Sequence, residues 1–386
     1  PEYGDELLLD FKAIPDQVKS LTVNGKITKP VIKGDHISIP DSTLRPGHNE
    51  ISIDFIAGNR ALNRREDFLY TLFVPDRART CFPCFDQPDM KASFNLQLEI
   101  PDNWAGVSNT STLSETSAGK GRKILTFKAT EPLSTYLFAF AAGEFKREDF
   151  KCGDRNFGIY YRETDPDRIA QLPDIAADVA SSLEWLEEYT GIPYPFAKYD
   201  LVIIPGFQFG GMEHTGATFY TDRRMFLPSN ATPDDKLSRT SLIAHETTHM
   251  WFGDYLTMRW FNDVWTKEVF ANYYAAAITR RLLPEFDHDL VWLRTYVGAA
   301  MGEDRTTGAT SIRQTLGNLQ DAGLVYNDII YNKAPVMMTK LAELMGEKSF
   351  RNAIREYLAT YGYGNASWDD PVSYTHLRAH ETRGNL

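Results

Sequence analysis

The first 150 residues contain no long segment with the 3.6-residue period of an amphipathic helix. They consist of short segments in which apolar and polar residues alternate, such as SLTVNG, EISIDFIA and KILTFKA, separated by clusters of Gly, Pro, Asn and Asp. Alternation with a period of two is typical of half-buried strands. The pattern therefore predicts an N-terminal all-β domain over residues 1–160, an antiparallel saddle or sandwich.

After about residue 160 the pattern becomes mixed. Two short strand-like segments, YDLVIIPG and GATFY, lie among longer segments whose apolar residues recur every three or four positions. This mixture predicts a separate α+β domain over residues 161–370. Its expected helices span about 166–191, 236–252, 262–282, 333–346 and 348–361.

One of these helices carries the segment TSLIAHETTHMWFGD, in which His245 and His249 are four residues apart and Glu246 follows the first histidine. Residues i and i+4 of a helix lie on the same face, about one turn apart. Both imidazoles can therefore bind one metal ion, and Glu246 is placed to reach a water on that ion. The alternative is a solvated helix with two unrelated histidines, so other residues have to decide between the two.

A catalytic zinc ion usually has three protein ligands and one open position. The metzincin arrangement would need glycine and histidine where this chain has Phe252 and Tyr255, which excludes that class. The next predicted helix contains Glu268, nineteen residues after His249 and followed by apolar residues. A surface glutamate paired with Lys267 is the ordinary alternative. Beside HExxH at this distance, we predict that Glu268 is the third ligand.

The segment HETTHMWFGDYLTMRWFNDVWTKEVFANYYA resembles the zinc core of the gluzincin aminopeptidases, the family of membrane alanyl aminopeptidases and leukotriene hydrolase. Three further segments are similar to family motifs and occur in the family's order. They are RTCFPCFDQPDMKASF in the β region, FGGMEHTGATFY before the HExxH helix, and YNKA at residues 331–334 after it. The resemblance extends over nearly all of residues 1–370.

The resemblance implies a thermolysin-like zinc peptidase domain that binds one Zn²⁺ per chain. It implies that Glu246 is the general base and that Tyr331 stabilises the oxyanion of the attacked carbonyl. It also implies a substrate-binding segment in which the carboxylate of Glu213 holds the free α-ammonium of a peptide. That segment consists of Gly210, Gly211, Met212, Glu213 and His214.

The chain departs from the family motifs at several positions. It has His214 where the family has asparagine, and Val269 and Ala334 where the family has glycine. Some members have a glutamate or glutamine in the β domain that helps to hold the substrate amine, and the matching stretch here offers Leu72 and Val74. Recognition of the amine is therefore expected to rest more heavily on the GGME carboxylate.

The composition limits the partners of the chain. A formal net charge of −11 argues against nucleic acid, because phosphate binding needs a basic face. No apolar run approaches the roughly 18 residues of a membrane span, so no transmembrane segment is expected and a soluble protein, cytoplasmic or exported, is predicted. Cys81 and Cys84 form a lone CxxC, which we interpret as two ordinary thiols rather than a redox pair or half of a zinc site.

Both ends of the chain differ from what a whole family member would show. The chain opens at Pro1, so the start of the β domain is expected to be truncated, and the family's large C-terminal helical domain is expected to be missing. Residues 371–386 resemble a translated sequencing adapter and are predicted to be a non-native tail. Its His376 and His380 follow the order HxxxHE and are not counted as ligands.

Taken together, the motifs predict a zinc-dependent aminopeptidase that hydrolyses the N-terminal peptide bond of peptides. Two alternatives stay open. A thermolysin-like endopeptidase would share HExxH and the downstream glutamate but would not need the GGME carboxylate. A non-catalytic scaffold of the same fold would not need intact zinc ligands, yet His245, His249 and Glu268 are all present.

Overall fold

The computed structural model describes residues 6–12 and 14–370. In its described part, the region up to Tyr161 is built from strands and short 3-10 turns and contains no α-helix, so the predicted all-β character is confirmed. The strands of this region are β1 (Glu6–Asp10), β2 (Val18–Val23), β3 (Lys26–Ile27), β4 (Val31–Lys33), β5 (His36–Pro40), β6 (Ile51–Phe55), β7 (Leu62–Arg64), β8 (Phe68–Thr71), β9 (Gln97–Pro101), β10 (Ala105–Ser108), β11 (Thr112–Gly119), β12 (Arg122–Phe127), β13 (Phe140–Gly143), β14 (Lys146–Cys152) and β15 (Arg155–Tyr161). The 3-10 turns are Pro15–Gln17, Asp41–Thr43, Ala78–Thr80 and Thr135–Leu137.

Four small antiparallel sheets form most of this region, in the orders β1-β5-β4, β3-β2-β6, β10-β13-β8-β7 and β11-β12-β9. Successive side chains of a strand point to opposite faces, so an alternating sequence buries one face. In the β2–β6 pair, Leu21 lies opposite Ile53 and Val23 lies opposite Ile51. These side chains pack into a small core of their own. The alternation read in the sequence therefore corresponds to buried sheet faces.

The second region mixes helices with strands, as predicted. Its helices are α1 (Pro166–Ile169), α2 (Leu172–Thr190), α3 (Asp222–Met225), α4 (Pro233–His249), α5 (Val264–Leu282), α6 (His288–Trp292), α7 (Gly298–Asp304), α8 (Ala334–Met345) and α9 (Glu347–Tyr361). Its strands are β16 (Asp200–Ile204), β17 (Gly211–Met212), β18 (Ala217–Thr221), β19 (Thr257–Met258) and β20 (Asn365–Ala366). Further helical turns are Phe261–Asp263, Leu293–Val297, Leu319–Val325 and Ile329–Lys333. The five predicted helical segments are all present, and the helical stretch from α6 to α7 was not predicted.

One sheet joins the two regions, in the order β14-β15-β16-β18-β17. The hairpin β14–β15 belongs to the sequence that reads as the β domain, but β15 pairs in parallel with β16 of the following region. The short strand β17 pairs antiparallel with β18 at the edge of this sheet. The division at residue 160 stays a prediction, because the sheet continues across it. Residues 371–386, predicted to be a non-native tail, lie outside the described residues.

Helix α4 has a well-defined start and end. Its N-cap Thr232 accepts a hydrogen bond from the Asp235 amide, and the Asp235 carboxylate accepts one from the Thr232 amide, which forms a capping box. The helix ends at His249, and the Phe252 ring that follows packs against Phe270 and Tyr274 of α5, with ring centroids 4.6 and 5.2 Å apart. These contacts hold the end of α4 against α5.

Two further predictions concern the thiols and the membrane. Cys81 and Cys84 are free and buried, and burial raises the pKa of Cys81 to about 11. Both are therefore packed in the core as unreactive thiols, in agreement with their interpretation from the sequence. Among the described helices, none combines the length and the apolar character that crossing a bilayer requires.

Candidate metal centre

Three side chains converge where the end of α4 meets the beginning of α5. The Nε2 atoms of His245 and His249 are 3.1 Å apart, and each lies 3.5 Å from Oε2 of Glu268. His249 and Glu268 are buried and His245 is mostly buried. The convergence predicted from the HExxH spacing and the downstream glutamate is confirmed, and it forms a candidate metal site.

The outer nitrogen of each histidine faces a hydrogen-bond acceptor. Nδ1 of His245 lies 2.8 Å from Oδ1 of Asn272, whose amide nitrogen donates to the Tyr331 carbonyl at 2.8 Å. Nδ1 of His249 lies 3.0 Å from the Phe252 carbonyl. Both Nδ1 atoms therefore carry the proton in the neutral imidazoles, which leaves both Nε2 atoms as bare lone pairs. Two lone pairs 3.1 Å apart repel each other unless a cation lies between them.

The distances fit a zinc ion. Two ligand atoms that each lie about 2.0–2.1 Å from a tetrahedral zinc ion are separated by roughly 3.3–3.4 Å. The three separations here are 3.1, 3.5 and 3.5 Å. Two imidazoles and one carboxylate also match the donor set of catalytic zinc sites, which keep one position open. His245, His249 and Glu268 are thus suited to hold zinc, and their occupation by zinc stays a prediction.

Replacing Asn272 by alanine is expected to weaken zinc binding by about 10- to 100-fold, since this amide fixes the orientation of the His245 ring. The measurement is zinc affinity by competition with a coloured chelator. Asn332→Ala is the matched control, because this partly exposed asparagine pairs with Asp328 instead. Equal affinities of the Asn272→Ala variant and the parent chain would show that the amide does not orient the ligand.

Glu246 lies one position after the first histidine and is buried beside the site. Burial, together with the neighbouring carboxylates of Glu213 and Glu268, raises its pKa to about 8. A side chain on Gly211 of β17 would place its Cβ within 2.4 Å of a carboxylate oxygen of Glu246. The glycine at this edge strand therefore makes room for Glu246, which is a local reason for the GGME sequence.

Glu213 directly follows β17 and is also buried. Its Oε1 accepts a hydrogen bond from Nζ of Lys267 at 2.6 Å, and the same ammonium lies 2.8 Å from Oε1 of Glu268. Burial alone would raise the pKa of both carboxyls, but the Lys267 charge holds both below their usual range. Glu268 therefore has its Oε1 on the lysine and its Oε2 toward the two histidines.

Tyr331 lies in the helical turn Ile329–Lys333 that precedes α8. Burial, with the nearby Glu268 carboxylate, raises its pKa well above the ordinary value. The hydroxyl therefore keeps its proton and can donate a hydrogen bond.

A single cavity of about 1570 Å³ connects these residues. Of the segment predicted to bind substrate, Gly210, Gly211, Met212 and Glu213 line it. His214 does not line it. This histidine is fully buried, packs edge-on against Phe219 with ring centroids 4.6 Å apart, and has no hydrogen-bond partner on either nitrogen. Burial lowers its pKa to about 3, so the ring is neutral.

The β region contributes to the same cavity. Val74 and Pro75 line it, whereas Leu72 is fully buried elsewhere in the core. Neither Leu72 nor Val74 supplies a carboxylate, in line with the sequence.

Sequence reasoning missed two residues of this site. Asn272 lies four residues after Glu268 on α5, and this helical spacing was a signal that it shares the face of the ligand. Lys267 was considered only as a surface partner of Glu268. The structure buries it between Glu268 and Glu213, and no spacing rule relates α5 to the end of β17.

The chain matches two known protein-family domains, one in each region. The Peptidase family M1 domain matches residues 176–379, and the Peptidase M1 N-terminal domain matches residues 58–137.

Three curated relatives illustrate the similarity. The chain is 32% identical over 312 residues to the puromycin-sensitive aminopeptidase of Caenorhabditis elegans. This match covers 80% of the chain and 33% of the relative. It is 31% identical over 301 residues to probable aminopeptidase 2 of Sulfurisphaera tokodaii, covering 78% and 38%. It is 29% identical over 383 residues to the tricorn protease-interacting factor F2 of Thermoplasma acidophilum, covering 95% and 47%. The chain thus spans less than half the length of each of these relatives.

Proposed function

The chain belongs to peptidase family M1, and from this premise we propose that it is a zinc-dependent aminopeptidase that hydrolyses the N-terminal peptide bond of peptides. One observation carries the proposal. The His245, His249 and Glu268 donors, the buried Glu246 and the carboxylate of Glu213 all line one cavity. A metal, a base and an acidic group for an amine are the parts that this reaction needs.

Zinc, when bound, would polarise the scissile carbonyl and make a water acidic enough to attack near neutral pH. Glu246 accepts the proton of the attacking water and passes it to the leaving amine. Its burial suits the first step, because a raised pKa makes its carboxylate a stronger base toward the water's proton. His245 and His249 would hold the metal through Nε2, with their Nδ1 protons donated to Oδ1 of Asn272 and to the Phe252 carbonyl.

Tyr331 donates a hydrogen bond to the oxyanion that develops on the attacked carbonyl. Its place on the cavity wall and its retained proton support this role. Glu213 receives the substrate's α-ammonium, which is mostly protonated at pH 7. A carboxylate close to the metal site allows only the first peptide bond to reach the reacting position, because the free terminus must end there.

An endopeptidase would not need a buried carboxylate at the end of β17, because its substrates present no free α-ammonium there. A non-catalytic scaffold would not need three converging metal donors, nor the hydrogen-bond acceptors that orient Nδ1 of His245 and of His249. Both alternatives remain outcomes of the experiment below.

Acetylating the N-terminus of a peptide is expected to lower kcat/KM for its first bond at least about tenfold, because it removes the cation that Glu213 is proposed to bind. The measurement is mass spectrometry of the products from a free peptide and its N-acetyl form with the zinc-loaded chain. The same peptide amidated at its C-terminus is the control and should be cleaved at the parent rate. Rapid internal cleavage of the acetylated peptide would favour an endopeptidase, and no cleavage of any peptide would favour a scaffold.

A further inference from the structure

Arg77 is a half-buried cation of the β region that lines the cavity. It lies in the segment that follows β8, and Val74 and Pro75 of the same segment line the cavity with it. Its backbone amide donates to the Phe73 carbonyl, and its own carbonyl accepts from Thr80. Within the described part of the chain, its guanidinium makes no hydrogen bond and no ion pair. Arg77 is therefore available to an incoming anion.

The five other lysines and arginines that line the cavity are each held by a neighbouring side chain. Four of them pair with a carboxylate at 2.6 to 3.0 Å, and the fifth, Arg224, donates to the Ser238 hydroxyl at 2.6 Å. The four pairs are Lys267 with Glu213, Arg280 with Asp289, Arg294 with Asp234, and Lys340 with Glu343. An anion would have to compete with these internal partners, whereas it meets no such competition at Arg77.

The carboxylate next to Arg77 in the sequence does not neutralise it. Oδ2 of Asp76 accepts a hydrogen bond from Nη2 of Arg79 at 2.5 Å, and Nε of Arg79 donates to the Asp76 carbonyl at 3.2 Å. The Arg79 side chain is only 9% exposed, so this pair holds the segment in place from the inside. Because Asp76 is engaged in this way, the charge of Arg77 is left uncompensated.

The segment lies on the side of the cavity that holds Glu213. Tyr70 of β8 packs edge-on against Phe207 and Phe219, with ring centroids 5.4 and 6.5 Å away. Phe219 of β18 pairs with Met212 of β17, the residue directly before Glu213. A first residue held between Glu213 and the metal donors therefore lies close to this wall. Its side chain is the part of a peptide that the segment can contact.

We propose that Arg77 is a specificity-determining residue that binds the side-chain carboxylate of an acidic first residue, glutamate above all. A guanidinium and a carboxylate form charge-assisted and often paired hydrogen bonds. Glutamate suits this wall better than aspartate, because its longer apolar stem can pack on Val74 and Pro75 while its carboxylate reaches Arg77. The inference rests on the proposed function and names its substrate class, which is peptides that begin with glutamate.

The test compares two zinc-binding probes of nearly the same shape. Glutamic acid α-hydroxamate has a charged side chain, and glutamine α-hydroxamate has a neutral one. Isothermal titration calorimetry on the zinc-loaded chain gives the ratio of the two affinities, and the parent chain should bind the glutamic acid probe more tightly. In Arg77→Gln this ratio is expected to fall at least about tenfold, since a charge-assisted pair is replaced by a neutral contact. The ratio of kcat/KM for α-glutamyl and glutaminyl p-nitroanilides should fall with it.

Two further variants separate this charge from the general field of the cavity. Arg77→Glu reverses the charge and should make the chain prefer the glutamine probe. Arg224→Gln is the matched control, because Arg224 lines the same cavity but its guanidinium is held by Ser238. It should leave the ratio unchanged. Zinc content is measured for every variant.

The inference is overturned if the parent chain binds both probes equally or binds neither, if neither Arg77 variant lowers the ratio, or if Arg224→Gln lowers it as much. If neither Arg77 variant folds, the salt dependence of the parent chain decides. Its preference for the glutamic acid probe should weaken as salt screens the guanidinium, and a ratio that does not change with salt overturns the inference. Failure of the proposed function is a separate result, in which the chain prefers the glutamic acid probe but cleaves no first bond.

Discussion

Replacing Glu246 by glutamine is expected to lower kcat by about 100- to 10,000-fold while the chain keeps its zinc. The substitution preserves the volume of a buried side chain and removes only its ability to accept and return a proton. Glu246 is not one of the three residues proposed to hold zinc, His245, His249 and Glu268, so the metal is expected to stay bound. The measurement pairs steady-state cleavage of an aminoacyl chromogenic substrate with metal analysis of the same protein.

Glu184→Gln is the matched control, because Glu184 is exposed on α2 and lies outside the cavity. It should retain both zinc and rate. A Glu246→Gln variant that cleaves as fast as the parent would remove the general base from the mechanism. A variant that loses zinc would instead show that Glu246 supports the metal site.

The parts of the fold that were predicted depend on local patterns. In β6 the exposure alternates along Ile51–Phe55, so its period of two is visible in the sequence. In α2 the buried residues Leu172, Ile175, Val179, Leu183 and Leu186 recur every three or four positions, so its helical period is likewise visible in the sequence. What the sequence did not predict is pairing between distant segments. The parallel pair β15–β16 joins strands separated by α1 and α2, and no local pattern indicates which sheet a strand will join.

The same distinction applies to the candidate site. His245 and His249 lie on one helix, so their convergence follows from helical geometry. The position of Glu268 relative to them depends on how α4 packs against α5, and it was predicted only through the length of the intervening segment and the family resemblance. The contact between Lys267 and Glu213 likewise depends on packing, because Lys267 lies on α5 and Glu213 follows β17.

His214 illustrates a limit of carrying motifs over by position. It occupies the last place of a motif whose other members line the cavity, yet its ring lies beneath that surface against Phe219. The chain reverses between β17 and β18, and this turn places neighbouring residues on different sides. Motif membership therefore predicts backbone placement better than it predicts where a side chain points.

Replacing His249 by alanine is expected to abolish the stabilisation that zinc gives the folded chain, together with the proposed peptidase activity. A ligand that binds only the native state adds about 4 kcal/mol to the free energy of unfolding when its concentration is 1,000 times its dissociation constant. In the parent chain, zinc should therefore raise the melting temperature above that measured with a chelator. His249 is 1% exposed and supplies one of three donors, so its loss leaves two ligands. The measurement is thermal unfolding with zinc and with chelator.

The histidine control distinguishes loss of a ligand from loss of a buried ring. His288 is also buried, and its Nε2 pairs with the Leu283 carbonyl rather than with the metal donors. His288→Ala should melt at a lower temperature than the parent but keep the same zinc-dependent shift. His249→Ala should instead lose the zinc-dependent shift, because only two of the three donors then remain. A zinc-dependent shift of parental size in His249→Ala would show that the metal binds elsewhere in the chain.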